Sequence, residues 1–106
     1  MIKKVVDKVW KINTDANVYF LDFEKKIVID TGKRSERHQI EMILKHVVEP
    51  KNVEVVILTH LHYDHTGNID LFPNAKVYAS KESIQEFKDN SFGSVLDEET
   101  VLRLNN

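Results

Sequence analysis

The sequence predicts an α/β fold, and two observations carry that prediction. One is the apolar spacing i, i+3, i+4, i+7 at Ile40, Ile43, Leu44 and Val47, which marks an amphipathic helix. The other is that β-branched runs flank it, Lys26-Ile27-Val28-Ile29-Asp30 before and Val53 to Leu58 after. A helix between such strands produces βαβ-like layering. The length of 106 residues limits this to one domain or less. A chain of that size buries roughly 65% of the area its unfolded form exposes, enough for one modest core.

Taken in order, three short extended segments open the chain. Val9-Trp10-Lys11-Ile12 alternates weakly, Val18-Tyr19-Phe20-Leu21-Asp22-Phe23 is apolar and aromatic, and Lys26 to Asp30 is β-branched. Glu24-Lys25 is short enough to make a hairpin of the last two. Asp30-Thr31-Gly32 ends the third strand, with Gly32 free to take a backbone conformation that other residues resist. Ser35 is the expected N-cap of a helix over residues 36 to 48, which Pro50 stops. Val53 to Leu58 is continuously apolar, the pattern of an interior strand covered on both faces. Thr59 to Pro73 reads as a loop. Lys76-Val77-Tyr78-Ala79 reads as a strand, and Ser80 caps a short helix to about Lys88 with Ile84 and Phe87 turned inward. Asn90 to Ser94 is loop, and Val101 to Asn106 alternates as though entering a further strand. No repeat, low-complexity tract or linker is visible.

Composition removes several function classes. Fifteen basic and seventeen acidic residues give a formal charge of -2 with no long run of either sign, so the main electrostatic argument for nucleic-acid binding is absent. With no cysteine, disulfides, thiolate metal sites and cysteine nucleophiles are excluded. Any metal must then be held by nitrogen and oxygen. The longest aliphatic run, Val55-Val56-Ile57-Leu58, is far short of the roughly 18 residues of a membrane span. No apolar stretch follows the basic residues at the start, and the cytoplasm is the expected location.

The unusual chemistry lies in His60-Leu61-His62-Tyr63-Asp64-His65, which holds three of the five histidines. At the end of a strand, residues two apart point the same way, so His60 and His62 converge as a preformed metal grip. Asp64 and His65 add an oxygen and a nitrogen just past the turn, where a second ion could sit. Functional groups in layered α/β folds gather beyond the carboxyl ends of the strands, which is where this segment falls. Gly67 lets the loop fold closely.

Thr59-His60-Leu61-His62-Tyr63-Asp64-His65-Thr66-Gly67-Asn68 resembles the His-X-His-X-Asp-His signature of the metallo-β-lactamase superfamily. The strands up to Ile29, then Asp30-Thr31-Gly32, a helix and the strand Val53 to Leu58 resemble that family's N-terminal half in the same order. The resemblance implies the N-terminal half of an αββα sandwich, a mixed sheet with flanking helices, over residues 1–106. It implies that His60 and His62 ligate a first metal and that Asp64 and His65 ligate a second. Asp30 would support the ligands by hydrogen bonds from behind them. Thr59 is expected to cap or brace the loop. The implied activity is that of a metal-dependent hydrolase, with metal-bound hydroxide attacking a thioester, lactone or other ester-like substrate and Asp64 orienting the nucleophile and moving a proton. One or two zinc ions are expected in the full domain, and iron or manganese accept the same ligands. Flavodiiron-type members usually carry an acidic residue at the place of His62, which disfavours an oxygen or nitric oxide reductase. Subclass B1 β-lactamases often lack a histidine at the place of His65.

The family's further ligands lie downstream, and no histidine follows His65. Asp70, Asp89, Asp97, Glu98 and Glu99 lack the family context of a bridging aspartate, and His38 and His46 are expected on the surface of their helix. Half a sandwich would also leave one sheet face uncovered. The expected complement is a homo-oligomeric partner or a C-terminal half, with the chain inactive alone. A noncatalytic oligomeric or partner-completed module that binds metal weakly is the alternative, and a nuclease-type member a further one.

Overall fold

The computed structural model describes residues 2–90 together with Ser94 and Leu96. Among these residues lies one six-stranded sheet in chain order, formed by β1 (Ile2–Val6), β2 (Val9–Ile12), β3 (Val18–Asp22), β4 (Lys26–Ile29), β5 (Val55–Leu58) and β6 (Lys76–Ala79). The first four strands form an antiparallel meander, and β4, β5 and β6 run parallel. Parallel neighbours need a crossover. The first is supplied by α1 (Arg37–Leu44), and the second by α2 (Tyr63–Thr66) and a 3-10 turn at Ile69–Leu71, after which α3 (Lys81–Asp89) follows β6. None of these helices is long and apolar enough to cross a membrane.

Alternation along the strands divides the sheet into two unlike faces. Trp10, Phe20, Val28, Val56 and Val77 stand in register across one face. That face meets the core, where Phe20, Val28 and Val56 join Ile40 and Leu44 of α1 and Phe87 of α3. An isolated helix of eight residues is below the length of about 12 at which helices become stable in water, so α1 depends on burying Ile40 and Leu44. Tyr19, Ile29, Ile57 and Tyr78 stand in register across the other face. Ile57 is 37% exposed there. An open groove of about 620 Å³ runs beside it, lined by Val55, Ile57, Tyr78, Lys25 and the ends of β5 and β6.

The structure agrees with the expected α/β layering and corrects its details. β5 begins at Val55, and its outer face is open among the described residues, where the run predicts cover on both faces. Ser35 caps nothing: the chain enters α1 through a 3-10 turn at Arg34–Glu36, and neither start has a side-chain cap. The reason is tertiary, because the backbone of Lys33 and Arg34 is pressed against Gly67. The helix also ends at Leu44, four residues early. Val47 and Val48 both donate to the Leu44 carbonyl in a tight turn, and Glu49 is already extended, as the residue before Pro50 must be. Ser80 does cap α3, accepting from the Ser83 amide at 3.1 Å. β1 had no clear pattern in the sequence; it is an exposed edge strand carrying Lys3 and Lys4. The strand expected at Val101 to Asn106 lies outside the described residues, as does most of the loop from Asn90 to Ser94.

Candidate metal centre

The floor of the site is made where β4 ends. Asp30 has φ +62°, a region that few non-glycine residues occupy and that aspartate tolerates better than most. Its amide donates to the Ile57 carbonyl at 2.8 Å, and its carboxylate reaches across to the end of β5. There Thr59 donates twice, from its amide to Oδ1 at 2.8 Å and from Oγ1 to Oδ2 at 2.6 Å. His65 Nδ1 lies 2.9 Å from the same Oδ2. A carboxylate only 5% exposed is tolerable because these donors replace its water.

The next two residues fasten the far end of the histidine loop. Thr31 donates from its amide and its hydroxyl to the His65 carbonyl, at 2.9 and 2.7 Å. Asn68 returns the contact, donating from its amide to Thr31 Oγ1 and from Nδ2 to the carbonyls of Thr31 and Lys33. The Gly67 amide donates to the Gly32 carbonyl at 3.0 Å. A Cβ on Gly67 would sit 2.3 Å from the Arg34 nitrogen, so only glycine lets the two segments lie this close.

On this floor the rings of His60, His62 and His65 assemble. The His60 centroid is 5.5 Å from that of His62 and 5.0 Å from that of His65. Asp64 Oδ1 stands 3.6 Å from His65 Nε2. The Thr59 hydroxyl has one proton and gives it to Asp30, so it acts as an acceptor toward His60 Nδ1 and His65 Nδ1, each 3.3 Å away. In the neutral form of both rings, these contacts assign the proton to Nδ1 and the lone pair to Nε2. His62 is held differently, with its Nε2 2.6 Å from Glu86 Oε1 on α3.

The four expected ligands thus share one rim beyond β5, but their side chains are not closed around a point. Among the described residues, no group of three or more such side chains stands close enough to hold one ion. The donor set nevertheless fits a divalent metal, since it is imidazole nitrogen and carboxylate oxygen with the proton of two rings already turned away from Nε2. Asp70 lies elsewhere, bonded by Arg34 Nη1 at 3.0 Å and by Arg37. Partial burial would raise its carboxyl, but the hydrogen bonds and charge of Arg37 and Arg34 outweigh this and hold it below the usual value. His38 and His46 are exposed. Asp89 accepts from Gln85, and Asp97, Glu98 and Glu99 lie outside the described residues. Sequence reasoning missed Glu86, Thr31 and Asn68; α3 turns Ser83 and Phe87 inward, where Ile84 and Phe87 were expected, and that rotation is what places Glu86.

The family model of the Metallo-beta-lactamase superfamily matches residues 13–88, most of the chain and all of this site. The chain belongs to that superfamily. A protein described as a probable metallo-hydrolase of Methanocaldococcus jannaschii is 40% identical over 65 residues, 60% of this chain and 32% of its own length. A metallo-beta-lactamase structure from Cronobacter sakazakii superimposes with a TM-score of 0.72 at 20% identity, over 90% of this chain and 41% of that one. The flavodiiron protein from Giardia intestinalis superimposes with a TM-score of 0.68 at 16% identity, over 93% of this chain and 31% of that one. The mixed sheet with its helices is therefore a metallo-beta-lactamase fold. The chain spans about a third or less of the length of the first curated relatives it matches.

Proposed function

We propose that this chain contributes one half of the site of a metal-dependent hydrolase, with His60, His62, Asp64 and His65 as the protein ligands. The observation that carries the reading is the gathering of three imidazoles on a floor where Thr59 and Asp30 already orient two of them. A divalent ion held there would supply Lewis acidity to a carbonyl or phosphoryl oxygen and to water. Asp30 holds the proton at His65 Nδ1, and Thr59 holds that at His60 Nδ1. Asp64, with its side chain 30% exposed, is placed to orient an attacking water and accept its proton. Thioesters, lactones and other ester-like compounds are the favoured substrates. Histidine at position 62, where flavodiiron-type members usually carry an acid, supports hydrolysis over oxygen reduction. Zinc is the favoured metal, with iron or manganese next.

The apolar outer face of the sheet supports a second element of the proposal, a complement that covers it and supplies further ligands. A C-terminal half is the favoured complement and a second copy the other. The purified chain is titrated with zinc calorimetrically and assayed against a thioester and a lactone, alone and co-expressed with a candidate C-terminal half. Zinc binding that is lost in His60→Ala, with turnover only in the complemented form, is the expected result. No zinc binding by the wild type would overturn the metal site, and substantial zinc-dependent turnover by a monomer would overturn the complement.

The same outer face favours one other reading, a noncatalytic module that is stable as an oligomer and binds metal weakly. Sedimentation separates the two. A homodimer holding stoichiometric zinc, with no hydrolysis in any complemented form, would favour the module.

A further inference from the structure

We propose that Glu86 is a positioning residue of this metal site, holding His62 through Nε2 and so committing that ring to ligate through Nδ1. The inference rests on reading His62 as a ligand. A carboxylate offers only acceptors, so the 2.6 Å contact between Glu86 Oε1 and His62 Nε2 requires the proton on Nε2. In the neutral imidazole that binds a metal, the lone pair then belongs to Nδ1. His60 and His65 have the opposite arrangement, because the Thr59 hydroxyl accepts from Nδ1 in both.

The placement of Glu86 is determined by more than this one contact. Ser83 donates from its hydroxyl to the Thr59 carbonyl at 3.0 Å, which fastens α3 to the residue just before the first histidine. From Ser83 to Glu86 is three residues along the helix, and from Thr59 to His62 is three along the loop. Two rungs therefore join the same two segments in register. Ser80 fixes the start of the helix, and Ser83 and Phe87, 7% and 9% exposed, fix its rotation. With that rotation set, Glu86 is directed along the rim and not away from it. Carboxylates that orient a ligating histidine in this way commonly change metal affinity by about 10- to 100-fold when removed.

The test uses the full chain, free of metal and titrated with zinc. In the metal-free wild type, the His62 Nε2–H proton should give a downfield, slowly exchanging NMR signal. Glu86→Ala should abolish that signal and weaken zinc binding about 10- to 100-fold in chelator competition, with an unchanged urea midpoint for the metal-free protein. Glu86→Gln, which can still accept from Nε2–H, should keep a weakened signal and recover part of the affinity. Wild-type affinity in Glu86→Ala would overturn the proposal. So would lost affinity with the Nε2–H signal intact, because Glu86 would then act on the ion directly. If the signal follows Glu86 but the wild type binds no zinc, the pairing stands while the metal reading fails, and the positioning role falls with it.

Discussion

The floor and the rim of the site are built on different terms. Asp30, Thr31 and Asn68 on the floor are 5%, 0% and 0% exposed and make hydrogen bonds across 29 to 37 positions of sequence. On the rim His60 is exposed, and Tyr63, three residues on, is 51% exposed. The motif residues that would perform the chemistry are thus the less constrained ones, and residues outside the motif hold them. Rigidity and reactivity are thereby separated: the floor contributes to folding stability, while the rim keeps donor atoms accessible. Substitutions on the two sides should therefore read out differently, and a series ordered by its effect on stability tests the separation.

Asp30→Ala should have the largest effect. It strips acceptors from the Thr59 amide, the Thr59 hydroxyl and His65, and it places alanine at φ +62°, where a Cβ without a polar side chain is strained. Hydrogen bonds to a charged group are worth about 1.5–3 kcal/mol each, and a loss of about 3 kcal/mol in urea unfolding of the metal-free chain is expected. A loss below 1 kcal/mol would mean that the floor is not what holds the fold. Gly67→Ala comes next. Its φ of −61° suits alanine, so the penalty is purely steric, from a methyl 2.3 Å from the Arg34 nitrogen and 2.6 Å from the Gly32 carbonyl oxygen. Neither atom belongs to a flexible side chain, and overpacking of this kind costs about 2 kcal/mol.

The floor is also the part that could not be read from the sequence. Strands β2 to β6 and helices α1 and α3 were legible because their apolar spacing is local, as in Ile40, Ile43 and Leu44, whereas β1 and the short α2 within the histidine loop were not. The pairing of Asp30 with Thr59 spans 29 residues, and that of His62 with Glu86 spans 24, so no local pattern announces either. Ser35 shows the converse error. Its type fits a cap, but the approach of Gly67 to the Arg34 backbone decides how the chain enters α1. The motif itself was legible as ligand chemistry, whereas which nitrogen each ring offers depends on Thr59 and Glu86, and only the fold brings those in.

Asp70 lies beyond the site, and its contribution should be smaller and pH-dependent. Its carboxyl is held below the ordinary value of 3.8 by hydrogen bonds from Arg37 and Arg34 that outweigh burial. A pKa lower in the folded than in the unfolded chain adds stability above that ordinary value, and the gain is lost as pH falls through the folded value. Asp70→Asn should therefore cost about 0.5 kcal/mol at pH 7, as exposed ion pairs do, and nothing once the pH is well below 3.8. Urea midpoints of wild type and variant at the two pH values check this. An equal deficit at both would assign the effect to packing and not to charge.

His60→Ala should have the smallest effect on stability and is the sharpest test of the separation. The ring is exposed, and its one hydrogen bond to the floor is 3.3 Å long, to a Thr59 hydroxyl already satisfied by Asp30. Removing it leaves no buried donor unpaired and opens no cavity, so the metal-free chain should unfold within about 0.5 kcal/mol of the wild type. With the proposed zinc site, the same variant should lose the stabilisation expected of the wild type in excess zinc, because a ligand that binds only the folded state stabilises it by an amount that grows with the logarithm of free ligand concentration over its dissociation constant. A metal-free His60→Ala chain as unstable as Asp30→Ala would show that the rim carries the fold as well. In that case the division between the part that holds and the part that reacts would have to be drawn elsewhere, between β5 with its whole loop on one side and α3 on the other.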